Sequence, residues 1–295
     1  MKQASWLIVD WGTTNFRAFA IDELGNVVAK IEKPMGLLQV KNGEFASALE
    51  AVLKVWISHY QTLPIFMAGM VGSAQGWVPV PYEYVPVNLN AIASKGIQFT
   101  LPWGAQATIV PGLCEALSNG SFDVMRGEEV QLFGLQSLVT EPDFTAVLPG
   151  THSKHVNVKK RKIESFKTYM TGEFFSILSK HSIIGMALPN QEYSQASFIK
   201  GVSSDLGPEL MNTVFSARTL RLFDKIKETE VLEYLSGLLI GNELSSLGSE
   251  KIYIVGNALL SDRYQSACHA LNLKCEVVDG ELAFLEGMKK IKEHF

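Results

Sequence analysis

Cysteine is scarce: Cys114, Cys268 and Cys275 are the only three in 295 residues. No two have CxxC spacing, and an odd count builds no disulfide framework, so a reducing, cytoplasmic setting is expected. The signatures GxxxxGK[ST], GxGxxG, HExxH and GxSxG are all missing. That sets aside P-loop, dinucleotide-fingerprint, zincin and nucleophile-elbow chemistry. No basic leader runs into an apolar core at the N-terminus, where Asp10 arrives early, and no signal peptide is expected. One stretch without Asp, Glu, Lys or Arg, residues 61–82, has the length of a membrane span. Pro64, Gly69, Gly72, Gly76, Pro79 and Pro81 interrupt it, so it reads as a buried strand entering a loop, with no membrane partner. Excess positive charge is also lacking: 26 Lys and Arg face 30 Asp and Glu, a net charge of −4. This argues against a broad nucleic-acid surface and leaves room for a local cationic pocket.

What is present is a chain built to pack. Hydrophobic residues make up 47% and charged residues 19%, the balance of a globular protein, and the length suggests two domains. Residues 5–10, a short buried run, and residues 15–22 and 27–32 read as three strands joined by tight turns, an antiparallel meander. Residues 43–59 have helical spacing, and 64–68 form a strand expected to be parallel. The pattern then recurs, with strands at 144–148, 153–158 and 163–170. Laying Val147-Leu-Pro-Gly-Thr on Val9-Asp-Trp-Gly-Thr puts Gly150 over Gly12 and Thr151 over Thr13, half a chain apart. Later segments read as helices at 130–138, 232–247, 261–271 and 281–294, and strands at 251–255 and 274–278. Ser236, Gly237 and Gly241 would let the 232–247 helix pack closely. The polar run 118–121 places the domain boundary near 122, giving domains 1–122 and 123–295, with the terminal helix free to pack back on the first.

Four segments can carry chemistry. In the first, Asp10 ends a buried strand and Gly12, Thr13 and Thr14 turn after it. Such a turn aims backbone N–H groups at phosphate, and Asp10 could hold Mg²⁺ there; an Asp capping a hairpin looks the same in sequence. In the second, Gly150, Thr151, His152, Ser153 and Lys154 offer another glycine turn, hydroxyls and a cation. His152 and His155 have metal-ligand spacing for a helix, but this segment alternates as a strand and carries no third ligand. In the third, Arg126, Glu128 and Glu129 open an apolar helix. Carboxylates there suit the helix dipole, and one could equally serve as general base toward a hydroxyl attacking a γ-phosphate, with Arg126 pairing an acidic substrate or the transferring phosphoryl group. In the fourth, Gly256 and Asn257 follow a strand, where a glycine lets backbone approach a flat ligand.

The order of these segments resembles that of the sugar kinase, Hsp70 and actin superfamily. More specifically, the chain is similar along nearly its whole length to the 2-dehydro-3-deoxygalactonokinase family. The matching segments include Ile8-Val-Asp-Trp-Gly-Thr-Thr-Asn15, Met67-Ala-Gly-Met-Val-Gly-Ser73, Val124-Met-Arg-Gly-Glu-Glu129, Pro149-Gly-Thr-His-Ser-Lys154 and Met170-Thr-Gly-Glu173. The resemblance implies an α/β fold of two duplicated actin-like (ribonuclease H-like) domains flanking a nucleotide cleft. It implies ATP-dependent phosphorylation of 2-dehydro-3-deoxy-D-galactonate at its 6-hydroxyl. Asp10 would be the metal-side carboxylate, Gly12, Thr13 and Thr14 the first phosphate turn, and Gly150, Thr151 and Ser153 the second. Gly256 and Asn257 would border adenosine, though many superfamily members have Gly-Gly there. Met70, Val71, Gly72 and Ser73 would line the sugar-acid pocket, with Arg17 and Arg126 as candidate cations for its carboxylate. Sugar kinases usually place an aspartate base near the start of the helix before the second hairpin. Here Glu128 takes that place, with Glu129 and Asp123 as alternates. A kinase for another sugar and a sugar- or ATP-binding sensor are the competing readings, and a homodimer is left open.

Overall fold

The computed structural model describes residues 3–204, 210–248 and 251–295. The chain divides into two units, one of residues 1–142, 159–165 and 281–295, the other of residues 143–158 and 166–280.

The first unit is built on β1 (Trp6–Trp11), β2 (Phe16–Ile21) and β3 (Val27–Lys33), the expected antiparallel meander. β1 is a near-continuous apolar run because it is central, flanked by β2 and by the parallel β4 (Ile65–Ala68). α1 (Phe45–Trp56) buries Phe45, Leu49, Val52 and Leu53, the face its spacing predicts. After β4 the uncharged stretch turns through a short 3₁₀ segment, Met70–Gly72. No helix among the described residues is long and apolar enough to cross a membrane. β5 (Glu83–Tyr84), α2 (Leu89–Ala93), β6 (Ile97–Thr100), β7 (Gln106–Ile109), β8 (Leu113–Ala116) and β9 (Phe122–Met125) follow. They complete a six-stranded sheet in the order β3-β2-β1-β4-β7-β6 and a small sheet β5-β8-β9. Residue 122, the boundary expected from sequence, opens β9, and the polar run 118–121 is the turn of the β8–β9 hairpin. Polar turn residues look the same whether they end a domain or a hairpin. α3 (Glu128–Leu138) closes the region and buries Val130, Leu132, Phe133 and Leu135.

The second unit carries β10 (Phe144–Leu148), β11 (Ser153–Lys159) and β12 (Lys162–Tyr169), then α4 (Thr171–His181), α5 (Gln195–Val202), α6 (Leu210–Thr213), α7 (Ser216–Leu222) and α8 (Val231–Leu244). β13 (Ile252–Gly256), α9 (Ala258–Ala270) and β14 (Cys275–Asp279) finish its sheet, and α10 (Gly280–Lys292) returns the chain to the first unit's residues. The sheet order is β12-β11-β10-β13-β14, with β13 parallel to β10 and to β14. This repeats the order β3-β2-β1-β4-β7 of the first sheet, so the half-chain repeat of the sequence is a repeat of topology. α5 crosses α8 over Gly237 and Gly241, as the small residues there predict. All three cysteines are free.

Candidate active site

In the first unit the site begins with Trp11. Its ring is fully buried against Phe16, Phe45 and Trp77, and its Nε1 donates to Met35 O at 2.8 Å. An aromatic group of this size buried with its polar atom satisfied fixes the residues on either side. One side is Asp10, the other the turn 12–15, closed by Gly12 N donating to Asn15 O at 2.9 Å. The segment 36–38 then clamps that turn. Gly36 N donates to Thr14 O, Leu37 N to Gly12 O and Leu38 N to Thr13 O, at 2.9, 2.9 and 3.3 Å. A Cβ on Gly36 would stand 2.3 Å from the Thr13 carbonyl and Thr14 N, so only glycine lets this clamp close. The turn's carbonyls are thus used inward. Thr13 and Thr14 are exposed, and their amides donate to no protein group among the described residues. Outward amides without acceptors are what an anion requires.

Asp10, Gly12, Thr13, Thr14 and Arg17 line one open cavity of ≈ 640 Å³, together with Glu32, Lys33 and Pro34. Asp10 stands opposite Arg17 in the β1–β2 ladder, and Arg17 Nε donates to its Oδ2 at 3.0 Å while Nη2 forms a second, shorter contact. Arg17 also reaches Glu281 at 3.7 Å. Burial works against its charge, but Asp10, Glu281 and Glu32 hold the guanidinium above its ordinary range. Arg17 is therefore paired with carboxylates of its own unit while lining this cavity.

Gly69, with φ of 94°, links Asp10 to the start of α3. Asp10 Oδ1 lies 3.4 Å from where its Cβ would stand, and its Cα lies 3.5 Å from the corresponding point on Gly127. α3 has no side-chain cap at Gly127; instead its first two carboxylates fold back. Glu128 accepts from Arg126 N at 3.0 Å, and Glu129 accepts from Gly127 N at 2.7 and 2.9 Å. Glu129 is fully buried, and burial first, then Glu128, pushes its carboxyl up to about 8. Glu128 remains partly exposed. Asp123 lies in the β8–β9 ladder opposite Glu115, its carboxylate accepting from Val124 N.

Arg126 lies with its Cζ 4.3 Å from the Tyr82 ring centroid and donates from Nη2 to Val80 O at 2.8 Å. Its Nε and Nη1 are buried with no acceptor, as is Ser73 Oγ. A Cβ on Gly72 would stand 2.9 Å from Arg126 Nη1, so the guanidinium and this loop are neighbours. Val71 departs from expectation: its side chain is fully buried in the core of the unit and cannot line a pocket. Met70 is partly buried against the same core.

In the second unit, Gly150 and Thr151 lie in the turn between β10 and β11. Ser153 does not: it is fully buried, and its Oγ donates to Glu243 Oε1 at 2.6 Å. Its alternation with His152 sends it inward, which removes it as an exposed phosphate hydroxyl. Lys154 is buried too, its Nζ donating to Thr168 Oγ1 at 2.7 Å. His152, half exposed, meets Glu173 at 2.5 Å, and among the described residues no group of three His, Cys, Asp or Glu could hold a metal. The start of α4 packs on the turn, with Glu173 N donating to Thr151 O at 3.0 Å. A Cβ on Gly172 would meet Gly150 O at 2.5 Å and Thr151 Cα at 2.8 Å. A Cβ on Gly256 would stand 3.6 Å from Pro149 Cδ, and Asn257 caps α9 by accepting from Leu260 N. Gly150, Thr151, Gly256 and Asn257 thus share one end of the sheet, where ligands of open α/β sheets bind. Gly36, Gly172 and Glu243 were missed by sequence reasoning. Gly172 lies within a matching segment, but nothing local distinguishes Gly36 or Glu243.

The family model described as 2-keto-3-deoxy-galactonokinase matches residues 10–291. The chain is 35% identical to the 2-dehydro-3-deoxygalactonokinase of Escherichia coli (strain K12), covering 98% of this chain and 97% of that protein. It is 32% identical to a Rhizobium meliloti (strain 1021) protein named for the same activity, covering 95% and 94%. A crystal structure from Sinorhizobium meliloti, also named for that activity, superposes with a TM-score of 0.89 at 31% identity over 98% of both chains. Component A of the (R)-2-hydroxyglutaryl-CoA dehydratase of Acidaminococcus fermentans matches with a TM-score of 0.50 at 11% identity, a likeness of fold alone, and that fold is the actin-like one. With nearly its whole length matched and its two sheets repeating one strand order, the chain belongs to the 2-keto-3-deoxy-galactonokinase family.

Proposed function

We propose that the chain transfers the γ-phosphoryl group of ATP, as its Mg²⁺ complex, to the 6-hydroxyl of 2-dehydro-3-deoxy-D-galactonate, a step of galactonate breakdown. Membership of the family over residues 10–291 carries this reading. The site supports it with Asp10, and Glu32 further along the wall, in the same cavity as the Thr13–Thr14 turn. Mg²⁺ takes one or two protein carboxylates and completes its shell with phosphate and water. A single Asp beside a phosphate turn fits a metal carried in on the nucleotide. Bound there, it would neutralise charge on the transferring group.

The protein's own groups do the rest. In the first unit the amides of Thr13 and Thr14 are assigned to phosphate; in the second unit, by the repeat of the turn, those of Gly150 and Thr151 are assigned to the phosphoryl donor. Gly256 and Asn257 border the adenosine. Arg126 takes the sugar-acid carboxylate, because its buried Nε and Nη1 lack acceptors and a guanidinium matches a carboxylate in charge and shape. Glu128 accepts the hydroxyl proton as the O6–P bond forms and the bond from γ-phosphorus to the bridging oxygen breaks, releasing ADP. It is preferred over Glu129, which is fully buried and holds a proton at neutral pH.

An ADP-release assay with ATP and Mg²⁺ tests the reading against 2-dehydro-3-deoxygalactonate, its gluconate epimer, galactonate, glucose and glycerol. Turnover confined to the 2-dehydro-3-deoxy acids is expected, and turnover on a neutral sugar alone overturns the substrate. Glu128→Gln is expected to lower kcat more than tenfold with ATP affinity kept; a near-normal kcat rejects Glu128 as base. Arg126→Lys is expected to raise KM for the sugar acid about tenfold or more, since one ammonium replaces a planar fork.

A further inference from the structure

Beneath the turn 149–152 lies a carboxylate that the reaction as described does not use. Glu243, on α8, is buried, with 1% of its side chain exposed. It accepts four hydrogen bonds. Ser153 Oγ and His155 Nε2 meet Oε1 at 2.6 and 2.9 Å, while Thr171 Oγ1 and Tyr264 Oη meet Oε2 at 2.5 and 2.7 Å. A carboxylate has about four lone-pair sites, so this one is saturated. The donors come from three different elements: β11 supplies two, the first residue of α4 one, and α9 one. Because both oxygens lie in one plane, the carboxylate fixes where these elements stand relative to each other. Burial and the Glu243 charge hold the Tyr264 phenol well above its usual range, so the hydroxyl stays a donor.

Two of those ties end at the turn. Ser153 follows it directly, and Thr171 precedes Gly172, whose backbone rests on Gly150 and Thr151. We propose that Glu243 is a positioning residue that sets the geometry of the second turn, and through it the affinity for the phosphoryl donor. The inference rests on the reading of that turn as part of the donor site. Glu243 itself touches no substrate; it acts through Ser153 on one side and Thr171 on the other. Arranged this way, the turn can stay exposed for a ligand while its position is held from a dry interior, where hydrogen bonds to a charge are strong.

The experiment uses single-donor variants, because Glu243→Ala leaves four buried groups unpaired and endangers folding. Ser153→Ala and Thr171→Val remove the ties to the turn, Tyr264→Phe removes one on the far side, and Glu243→Gln keeps the shape. Two readouts are taken on each full-length protein: amide hydrogen exchange in the turn, read at Glu173 N, which is bonded to Thr151 O, and separate equilibrium binding of Mg²⁺·ATP and of 2-dehydro-3-deoxygalactonate. Ser153→Ala and Thr171→Val are expected to speed exchange in the turn at least tenfold. They should weaken Mg²⁺·ATP binding by a similar factor and leave sugar-acid affinity within twofold. Tyr264→Phe is expected to do less of each, and Glu243→Gln to retain most of the donor affinity that Thr171→Val loses. Unchanged exchange in the turn, with donor affinity intact, overturns Glu243 as a positioning residue and leaves the donor-site reading standing. Faster exchange with unchanged Mg²⁺·ATP affinity overturns the inference through its premise, since the turn would then not serve the donor. Equal losses of both affinities, in step with melting temperature, would mean a structural role only and also overturn it.

Discussion

The two hairpin turns of the protein follow the same strand order yet are held by opposite means. The first, at 12–15, is fixed by backbone: three amides of residues 36–38 bind its carbonyls, and Gly36 allows the approach. The second, at 149–152, is tied mainly by side chains gathered on one buried carboxylate, with a single backbone bond from Glu173 N to Thr151 O beside them. Their chemistry differs as well. Asp10 stands in the first with its side chain 19% exposed, and Leu148, buried, occupies the aligned place in the second. The repeated turn thus keeps its glycine and threonine, while only the first has a carboxylate at this aligned position. Backbone clamping tolerates no added atom, whereas a side-chain hub can lose one donor and keep three. The first turn is therefore predicted to be brittle and the second to be tunable.

Gly36→Ala should have the largest effect. Its Cβ would stand 2.3 Å from backbone that cannot turn aside, so a loss of about 3 kcal/mol or more and at least a hundredfold fall in turnover are expected, read by thermal melting and kcat. A variant that melts like the parent would break the contrast at once. Gly172→Ala ranks next. The contacts at 2.5 and 2.8 Å are also to backbone, but the start of α4 can shift, so about a tenfold rise in KM for ATP with an unchanged KM for the sugar acid is expected. Glu129→Gln tests a pH dependence. The folded value of about 8 lies above the ordinary 4.5, so the folded protein keeps a proton that the unfolded chain releases. That contribution is complete below about 4.5 and is lost as pH rises toward 8, with a slope of at most about 1.4 kcal/mol per pH unit. The parent should therefore lose stability relative to Glu129→Gln between pH 5 and 8; parallel melting curves across that range would remove Glu129 as a protonated group. Gly12→Ala and Gly150→Ala should do least, under about 1 kcal/mol each, because the nearest atom to a Cβ is 3.5 Å away at Gly12 and none lies within 4 Å at Gly150. A large loss at Gly150 would reverse the ranking that the two turns imply.

Much of this protein is written locally. Short apolar runs at 6–11 and 16–21 and the segment 27–33, bounded by turn residues, specify strands, because a strand buried on both faces reads as continuously apolar and the turns carry their own residues. The helical spacing of residues 45–56 names the face that is buried. The repeat of a glycine-threonine turn half a chain later announces two related sheets, and the order of short motifs identifies the family. Other features were decided only when the chain closed on itself. Sequence singled out Gly12 and Gly150 within the two turns, but of the glycines that meet those turns it is Gly36 and Gly172 that admit no Cβ, because crowding depends on which backbone arrives from elsewhere. Arg17 reads as a free cation until β1 and β2 pair and set it against Asp10. Ser153 reads as a phosphate hydroxyl until a glutamate 90 residues away takes its proton donor. Spacing records what neighbours along the chain can do; the partner of a buried polar group is chosen by packing, where an unpaired donor costs too much to remain.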